Sequence, residues 1–576
     1  MTLLPRSPAA KTDPRSEVER IKEASHFLRG TIVAGLTDAD QVQFGEDDAN
    51  LLKLHGVYQQ YDRDTATERK QKGIDRDFQF MTRLRIAGGR LTAAQYLSCD
   101  GFADRFGNGT LRITTRQTFQ YHGVLKGALK GLLGAINAAT LTTFATCGDV
   151  VRNVMAPPTP VRSPVYDTLN QIARTLSARF LPQTGAYAEI WVDGVPVPDD
   201  GHNEEPLYDA TYLPRKFKIG LATPDDNSTD VLTNDLAVIA LFDGNRFLGA
   251  NLAVGGGLGL THNKAKTYAR LASPLLFVEP EALGDAIEAV IKVQRDHGDR
   301  RDRKHARLKY LVAEKGLAWI KSETERHAGR SYDAPRPMAR FRVPDLLGWQ
   351  AQGDGRWFLG VPVPSGRIAN QGERRLRTAL RLLVNQFQPG VVLTPTQDIL
   401  FTDLAEADRA PLEALLREHG VALAQDLAPV QRWGMACPAL PTCGLALTEA
   451  ERVREPILDG ILERLTAHGL EHEAISVRIT GCPNGCARPY AGDIGLIGRM
   501  AGTYALYLGG NFEGTRLSTC LLDKVAEHDI PRVLEPLLRD FAEHRQGIES
   551  FGDYCSRLGN RHLAELVADS LSPAMI

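Results

Sequence analysis

The sequence predicts an α+β protein of mixed α/β layers, internally duplicated about a pseudo-two-fold axis. Three observations support this. A strand over 80–86, a Gly88-Gly89 turn, a helix over 92–106 and a strand over 109–113 return as a strand over 357–363, a Ser365-Gly366 turn, a helix over 373–386 and a strand over 390–393. The last strands run on alike, Leu111-Arg-Ile-Thr-Thr-Arg-Gln117 beside Val391-Val-Leu-Thr-Pro-Thr-Gln397. Behind each repeat comes a larger segment of short strands closed by a long helix, over 281–298 in the first copy and 530–543 in the second.

In chain order, residues 1–70 read as an arm with a helix over 16–29, and 71–140 as a ferredoxin-like first repeat with a second helix over 125–138. Residues 141–335 form a first α/β domain. It has a strand at Trp191, strands over 235–242 and 247–254 joined by an Asp243-Gly244-Asn245 turn, and then the long helix. Highly charged residues from 300 to 340 read as a solvated helix and linker. Residues 336–420 repeat the ferredoxin-like unit, and 421–576 form the second α/β domain, with strands over 494–497 and 504–508.

That last domain carries the chemistry. Cys437 and Cys443 stand as C-x5-C, and Cys482 and Cys486 as C-x3-C in Thr480-Gly-Cys-Pro-Asn-Gly-Cys486, each pair in a loop rich in Pro and Gly. Between them, Thr448 as N-cap and Glu451 as its capping-box partner open a helix ending at Gly469, and a strand over 475–479 returns the chain. The two loops therefore meet around one centre. Four thiolates suit zinc or an iron-sulfur cluster, both soft enough to prefer sulfur. Zinc ribbons favour C-x2-C knuckles, which neither pair supplies, whereas Cys-Pro at 437 and 482 is in keeping with cluster-binding loops. Cys99, Cys147, Cys520 and Cys555 read as ordinary thiols.

Charge is nearly balanced, 68 basic against 70 acidic side chains, so no bulk field favours nucleic acid or membrane. No apolar run reaches the roughly 18 residues of a membrane helix, the first residues lack the apolar core of a signal peptide, and cysteines reserved for a metal centre suit a reducing cytoplasm. An anion must then be bound by a local cluster, and candidates recur on successive strands: Arg83 and Arg85, Arg112 and Arg116, Arg152, and Arg215, Lys216 and Lys218. Two apart on a strand, Lys216 and Lys218 face one cavity. His122 reads either as a general acid or as a structural hydrogen-bonder. The glycines at 255–259 are not followed by the Lys-Ser/Thr of a phosphate loop, and no dinucleotide fingerprint stands elsewhere. Their place matches that of a cysteine loop in the second copy.

The two cysteine loops resemble those of the sirohaem sulfite and nitrite reductases, and residues 55–64, 111–120 and 212–218 are similar to that family too. The resemblance implies a [4Fe-4S] cluster on Cys437, Cys443, Cys482 and Cys486, with Cys486 also the axial ligand of a sirohaem iron at the interface of the halves. It implies an anion site of Arg83, Arg152, Lys216 and Lys218, and a macrocycle surrounded by Arg112, Thr114, Arg116, His122, Gln397 and Asn484. The implied activity is the six-electron reduction of sulfite to sulfide for cysteine biosynthesis, as the haemoprotein subunit of an NADPH-type assimilatory enzyme whose donor is a separate flavoprotein. Alternatives are a ferredoxin-dependent sulfite or nitrite reductase and, in another class, a non-catalytic four-cysteine interaction protein. The chain departs from the bacterial NADPH-type pattern at Gly148, where Asn precedes the Asp, and at Ala487-Arg488-Pro489 after the last cysteine.

Overall fold

The computed structural model describes residues 14–186, 191–192, 195–196 and 205–570. The expected strand at Trp191 is present as Trp191–Val192, paired with Val195–Pro196; the neighbouring residues lie outside the described ones.

Each ferredoxin-like repeat forms a five-stranded sheet whose last strand belongs to the other repeat. The first runs Val57–Tyr61, Phe78–Arg83, Phe119–Val124, Leu111–Ile113 and then Arg367–Ile368. The second runs Gly348–Ala351, Trp357–Val361, Ile399–Leu404, Gly390–Leu393 and then Arg90–Leu91. The register pairs Arg367 with Arg112 and Arg90 with Val392. The turns entering the exchanged strands hold left-handed residues, Gly88 and Gly89 in one and Ser365 and Gly366 in the other. A Cβ on Gly89 would stand 2.4 Å from the Leu393 carbonyl oxygen, and one on Gly366 2.2 Å from that of Ile113. The backbones of the two halves meet there, and only glycine lets them.

The α/β domains share a topology. In the second, Gly434–Ala436, Val477–Thr480 and Ile494–Met500 run parallel and Thr503–Leu508 and Thr519–Ala526 follow antiparallel. In the first, Ile219–Ala222 lies parallel to Leu236–Asp243, with Arg246–Val254 and Ser273–Val278 antiparallel beyond, and bridges from Val151 and Met155 stand where Gly434–Ala436 does. This corrects the place expected for the glycines at 255–259. They follow the antiparallel strand Arg246–Val254, and Gly255 (φ 81°) matches Gly509 (φ 88°). The cysteine-free counterpart of the Cys482 loop is instead the loop over 223–230.

Apolar faces decide the covering helices. Pro164–Arg179, which the strand and helix pattern above passed over, starts at Ser163, whose hydroxyl accepts from the Val165 N–H at 3.2 Å, and buries Leu169, Ala173 and Leu176. Leu283–His297 packs on Leu317–Ala328, and Ile530–His544 on Arg454–Ala467. The expected cap at Thr448 is absent. The helix begins at Arg454, the Thr448 hydroxyl accepts from the Gly502 N–H at 2.9 Å, and Glu451 turns to buried arginines. The arm's helix is short, Glu17–Glu23, and sends Lys22 inward to Glu19, Asp149 and the Leu213 carbonyl. The charged stretch after 300 is not uniformly solvated either. Arg307 is 7% exposed and Lys309 fully buried, because each finds acceptors inside. Among the described residues, no helix is long and apolar enough to cross a membrane.

Candidate active site

The end of Gly434–Ala436 presents Cys437, and the end of Val477–Thr480 presents the second pair. The strands are parallel neighbours, so both cysteine loops emerge from one sheet end. Cys437 and Cys482 are buried, Cys443 is half-buried and Cys486 is exposed. Burial first, and then the neighbouring cysteines, push the Cys437 thiol well up and the Cys482 thiol up to about 12. The Gly481 N–H reaches the Cys437 sulfur at 3.4 Å, and Asn484 donates to that of Cys482. Four cysteines gathered at one sheet end, with N–H groups aimed at the sulfurs of Cys437 and Cys482, fit an iron-sulfur core as ligand set.

Cys486 opens on a cleft of about 450 Å³. Arg116, Lys216, Lys218, Arg307 and Arg488 line it with Asn484, Asn234 and Thr115. Lys216 and Lys218 stand on the edge leading into Ile219–Ala222, and their ammonium groups have no hydrogen-bond partner among the described residues, although the Lys218 backbone N–H donates to Asp235 Oδ2 at 2.9 Å. Burial first, and then Lys218 and nearby arginines for Lys216 and Arg116, Arg307 and Arg152 for Lys218, hold both ammonium pKa values well below the usual lysine range. Arg116 is drawn down to about 9 by burial and by Arg152, and its buried Nε lacks a partner. Two carboxylates stand nearby and both are occupied, Asp235 by Arg307 through two 2.8 Å bonds and Asp230 by Arg488 at 2.7 Å. A cleft with this surplus of donors fits a ligand carrying several carboxylates together with a small oxyanion.

The other expected residues fall around this centre in layers. Arg152 is buried beside it, bonded to the Gly148 carbonyl at 3.1 Å and to Tyr58. Arg83 stands next to it, with Nη1 3.1 Å from the Cys147 sulfur, so that thiol is not the ordinary one expected. Arg112 lies behind the cluster loop, donating to the Ala436 carbonyl at 2.9 Å and to Glu451, which also binds Arg367. His122 faces Arg367, Nδ1 to Nη1 3.1 Å, and burial with these arginines keeps it neutral. That removes it as an acid. Thr114 ties its own turn through the Arg116 N–H. Gln397 is 2% exposed and spends its amide on the Ser365 carbonyl and the Ala436 N–H, so it braces the strand leading to Cys437 and does not face the cleft. Gln117, its counterpart, does the same for Ala156. Arg85 is likewise structural, bonded to Ser177 and to the Ala145 and Val151 carbonyls.

The sequence reading missed Arg307, Arg488, Asn234 and Lys309. Lys309 donates to the carbonyls of Gly257, Gly259 and Tyr268 and holds the glycine loop, whose Leu260 N–H in turn bonds the Pro483 carbonyl. Arg488 stands left-handed before Pro489 and bonds the Thr115 and Pro395 carbonyls. The unexpected Arg488-Pro489 is therefore what joins the cysteine loop to both repeats. Gly148 is equally constrained. At φ 74° its Cβ would stand 2.5 Å from Leu54 Cγ and 2.9 Å from Leu54 Cα, which leaves no room for an asparagine.

Fold and site together define a duplicated redox protein that holds a metal-sulfur centre beside an anion-binding cleft. The family model described as the nitrite and sulphite reductase 4Fe-4S domain matches residues 172–332 and 431–573. The one described as the nitrite/sulfite reductase ferredoxin-like half domain matches 71–139 and 350–419. The chain is 44% identical to the sulfite reductase [ferredoxin] of Synechococcus elongatus, over 96% of this chain and 91% of that one. It is also 44% identical to the sulfite reductase [NADPH] hemoprotein beta-component of Myxococcus xanthus, over 95% and 97%. The fold is that of the Mycobacterium tuberculosis NirA protein, at a TM-score of 0.78 and 24% identity over 96% of this chain and 98% of that one. The chain belongs to the nitrite and sulfite reductase family.

Proposed function

We propose that this chain reduces sulfite to sulfide, taking six electrons and seven protons to give HS⁻ and three waters. The observation that carries the reading is the cysteine quartet opening through Cys486 onto a cleft where Arg116, Lys216 and Lys218 have no ion-pair partner among the described residues. Cys437, Cys443, Cys482 and Cys486 would hold a [4Fe-4S] cluster, and the cleft a sirohaem with Cys486 on its iron. Bound there, the coupled cofactors would supply electrons one at a time and an iron for the substrate sulfur.

The chain's own residues supply the rest. Arg83, Arg152, Lys216 and Lys218 bind the oxyanion, and Arg116 and Asn484 face the macrocycle from opposite halves. Depressed ammonium pKa values make Lys216 and Lys218 better proton donors as S–O bonds break and oxygen leaves as water. Arg112, His122 and Gln397 act one layer behind, by fixing the backbone at Ala436 and Cys437.

With no dinucleotide fingerprint of its own, the chain takes electrons from a partner. A flavoprotein subunit oxidising NADPH is our reading, and the ferredoxin-named relative supports ferredoxin as the second. The visible spectrum of the purified protein, repeated after acid-acetone extraction with labile sulfide assayed, tests the cofactors. An extractable isobacteriochlorin with about four labile sulfides per chain is expected, and a colourless zinc protein overturns the reading. Relative kcat/KM for sulfite and nitrite, with each donor in turn, tests substrate and partner.

A further inference from the structure

Outside the residues that line the cleft, two helices pack on each other. Leu283–His297 closes on His297, and Leu317–Ala328 carries Glu323 and His327 one turn apart in its last two turns. The ligand atoms of His297, Glu323 and His327 all lie within 4.8 Å of one another. Their arrangement has a definite centre. Nη2 of Arg326 stands 2.6 Å from Glu323 Oε2 and 3.1 Å from His327 Nε2, and that same Oε2 is 3.3 Å from His297 Nε2. A guanidinium nitrogen donating to His327 Nε2 requires a lone pair there, so this imidazole already presents a ligand atom.

We propose that His297, Glu323 and His327 form a binding site for a divalent transition-metal ion of the zinc class. Asp296, whose Oδ2 lies 3.4 Å from His327 Nε2, stands within reach as a fourth ligand, and Arg326 is a tethered cation that fills the site in the absence of metal. Ligand type fits, since two imidazoles and a carboxylate are a common zinc set. Spacing fits as well: tetrahedral bonds of about 2.1 Å separate ligand atoms by roughly 3.4 Å, close to the separations already present. The Trp319 ring lies edge-on to His297 at 4.9 Å and fixes its plane. The other charged neighbour, Arg295, donates to both oxygens of Asp296, so Asp296 joins as a ligand by giving up the 3.2 Å bond that Arg295 makes to its Oδ2. Arg326 is 58% exposed and leaves into solvent without losing a buried contact.

The test is equilibrium dialysis of the holoenzyme against Zn²⁺ and, separately, Ni²⁺, for wild type, His297→Ala/His327→Ala and Arg326→Ala. Wild type should bind one ion per chain in the micromolar range. The double variant should lose that ion by at least about tenfold in affinity, and Arg326→Ala should bind it several-fold more tightly. Zinc should raise the Tm of wild type and of Arg326→Ala and leave that of the double variant unchanged, with all three alike in metal-free buffer. Equal zinc stoichiometry and affinity in wild type and double variant overturn the proposal. So does an affinity that Arg326→Ala leaves unchanged.

Discussion

Asp230 in the first half sets its Oδ2 2.7 Å from Nε of Arg488, two residues beyond Cys486 in the second. The same oxygen lies 2.7 Å from Nη1 of Arg478, and all three side chains are 8% exposed or less. By topology Asp230 occupies the position that Arg488 holds in the other copy. The pseudo-two-fold thus joins unlike residues across its axis, and one loop that lacks cysteines anchors the loop that has them.

Asp230→Asn therefore leaves two buried guanidinium groups without their counter-charge. We expect a loss of about 3–5 kcal/mol in urea unfolding, together with iron and labile sulfide below wild type. Unchanged unfolding and full iron content would show that the trio does not hold the Cys486 loop.

Lys216→Met should cut sulfite turnover by about 100-fold or more and leave the cofactor spectrum intact. The wild-type kcat/KM should also fall as pH rises through the depressed lysine pKa values, because the ammonium forms bind and protonate the substrate. Full activity in Lys216→Met would remove it from the anion site.

Gly148→Asn, which restores the residue of the NADPH-type pattern, should harm this protein. The left-handed backbone and the contact with Leu54 predict a cost of about 1–3 kcal/mol. They also predict a higher KM for sulfite, since the Gly148 carbonyl holds Arg152. Steady-state kinetics beside thermal melts would show whether both effects occur.

Asp149 should make the fold sensitive to acid. Burial alone would raise its pKa, but Lys22, Arg303 and Arg215 outweigh it and hold the carboxyl well below the usual range. The stability it contributes is present above the unfolded carboxylate value, about 3.9, and is lost as pH falls toward the folded one. Asp149→Asn should cost about 3–5 kcal/mol at pH 7 and progressively less below pH 4, as measured by urea melts across that range.

What could be read from the sequence was local. The cysteine ligands stood out because their spacing is fixed by the loops themselves, and Lys216 and Lys218 because strand alternation sends both to one side. The repeat was visible in Leu111 to Gln117 beside Val391 to Gln397. Burial of a charge is decided by what packs against it, so Arg307 and Lys309 were indistinguishable from the solvated arginines around them. Thr448 and Glu451 matched a capping box, yet two arginines distant in sequence, Arg112 and Arg367, bind that glutamate more strongly than a helix end would. Pro164–Arg179 could have been found, since Ser163-Pro164 is a good helix start and Leu169, Ala173 and Leu176 keep its period.

The reciprocal exchange of Arg90–Leu91 and Arg367–Ile368 also bears on how such a chain assembles. Either half released alone would keep an unsatisfied sheet edge and lack the neighbour that fills it, so an isolated half is an aggregation hazard and not a folding unit. Two copies of one half would complete each other through the same swap. A homodimer trading that short strand would be the single-copy form of this architecture, whereas within one chain the two loops need not match, and here one is a metal ligand set and the other its anchor.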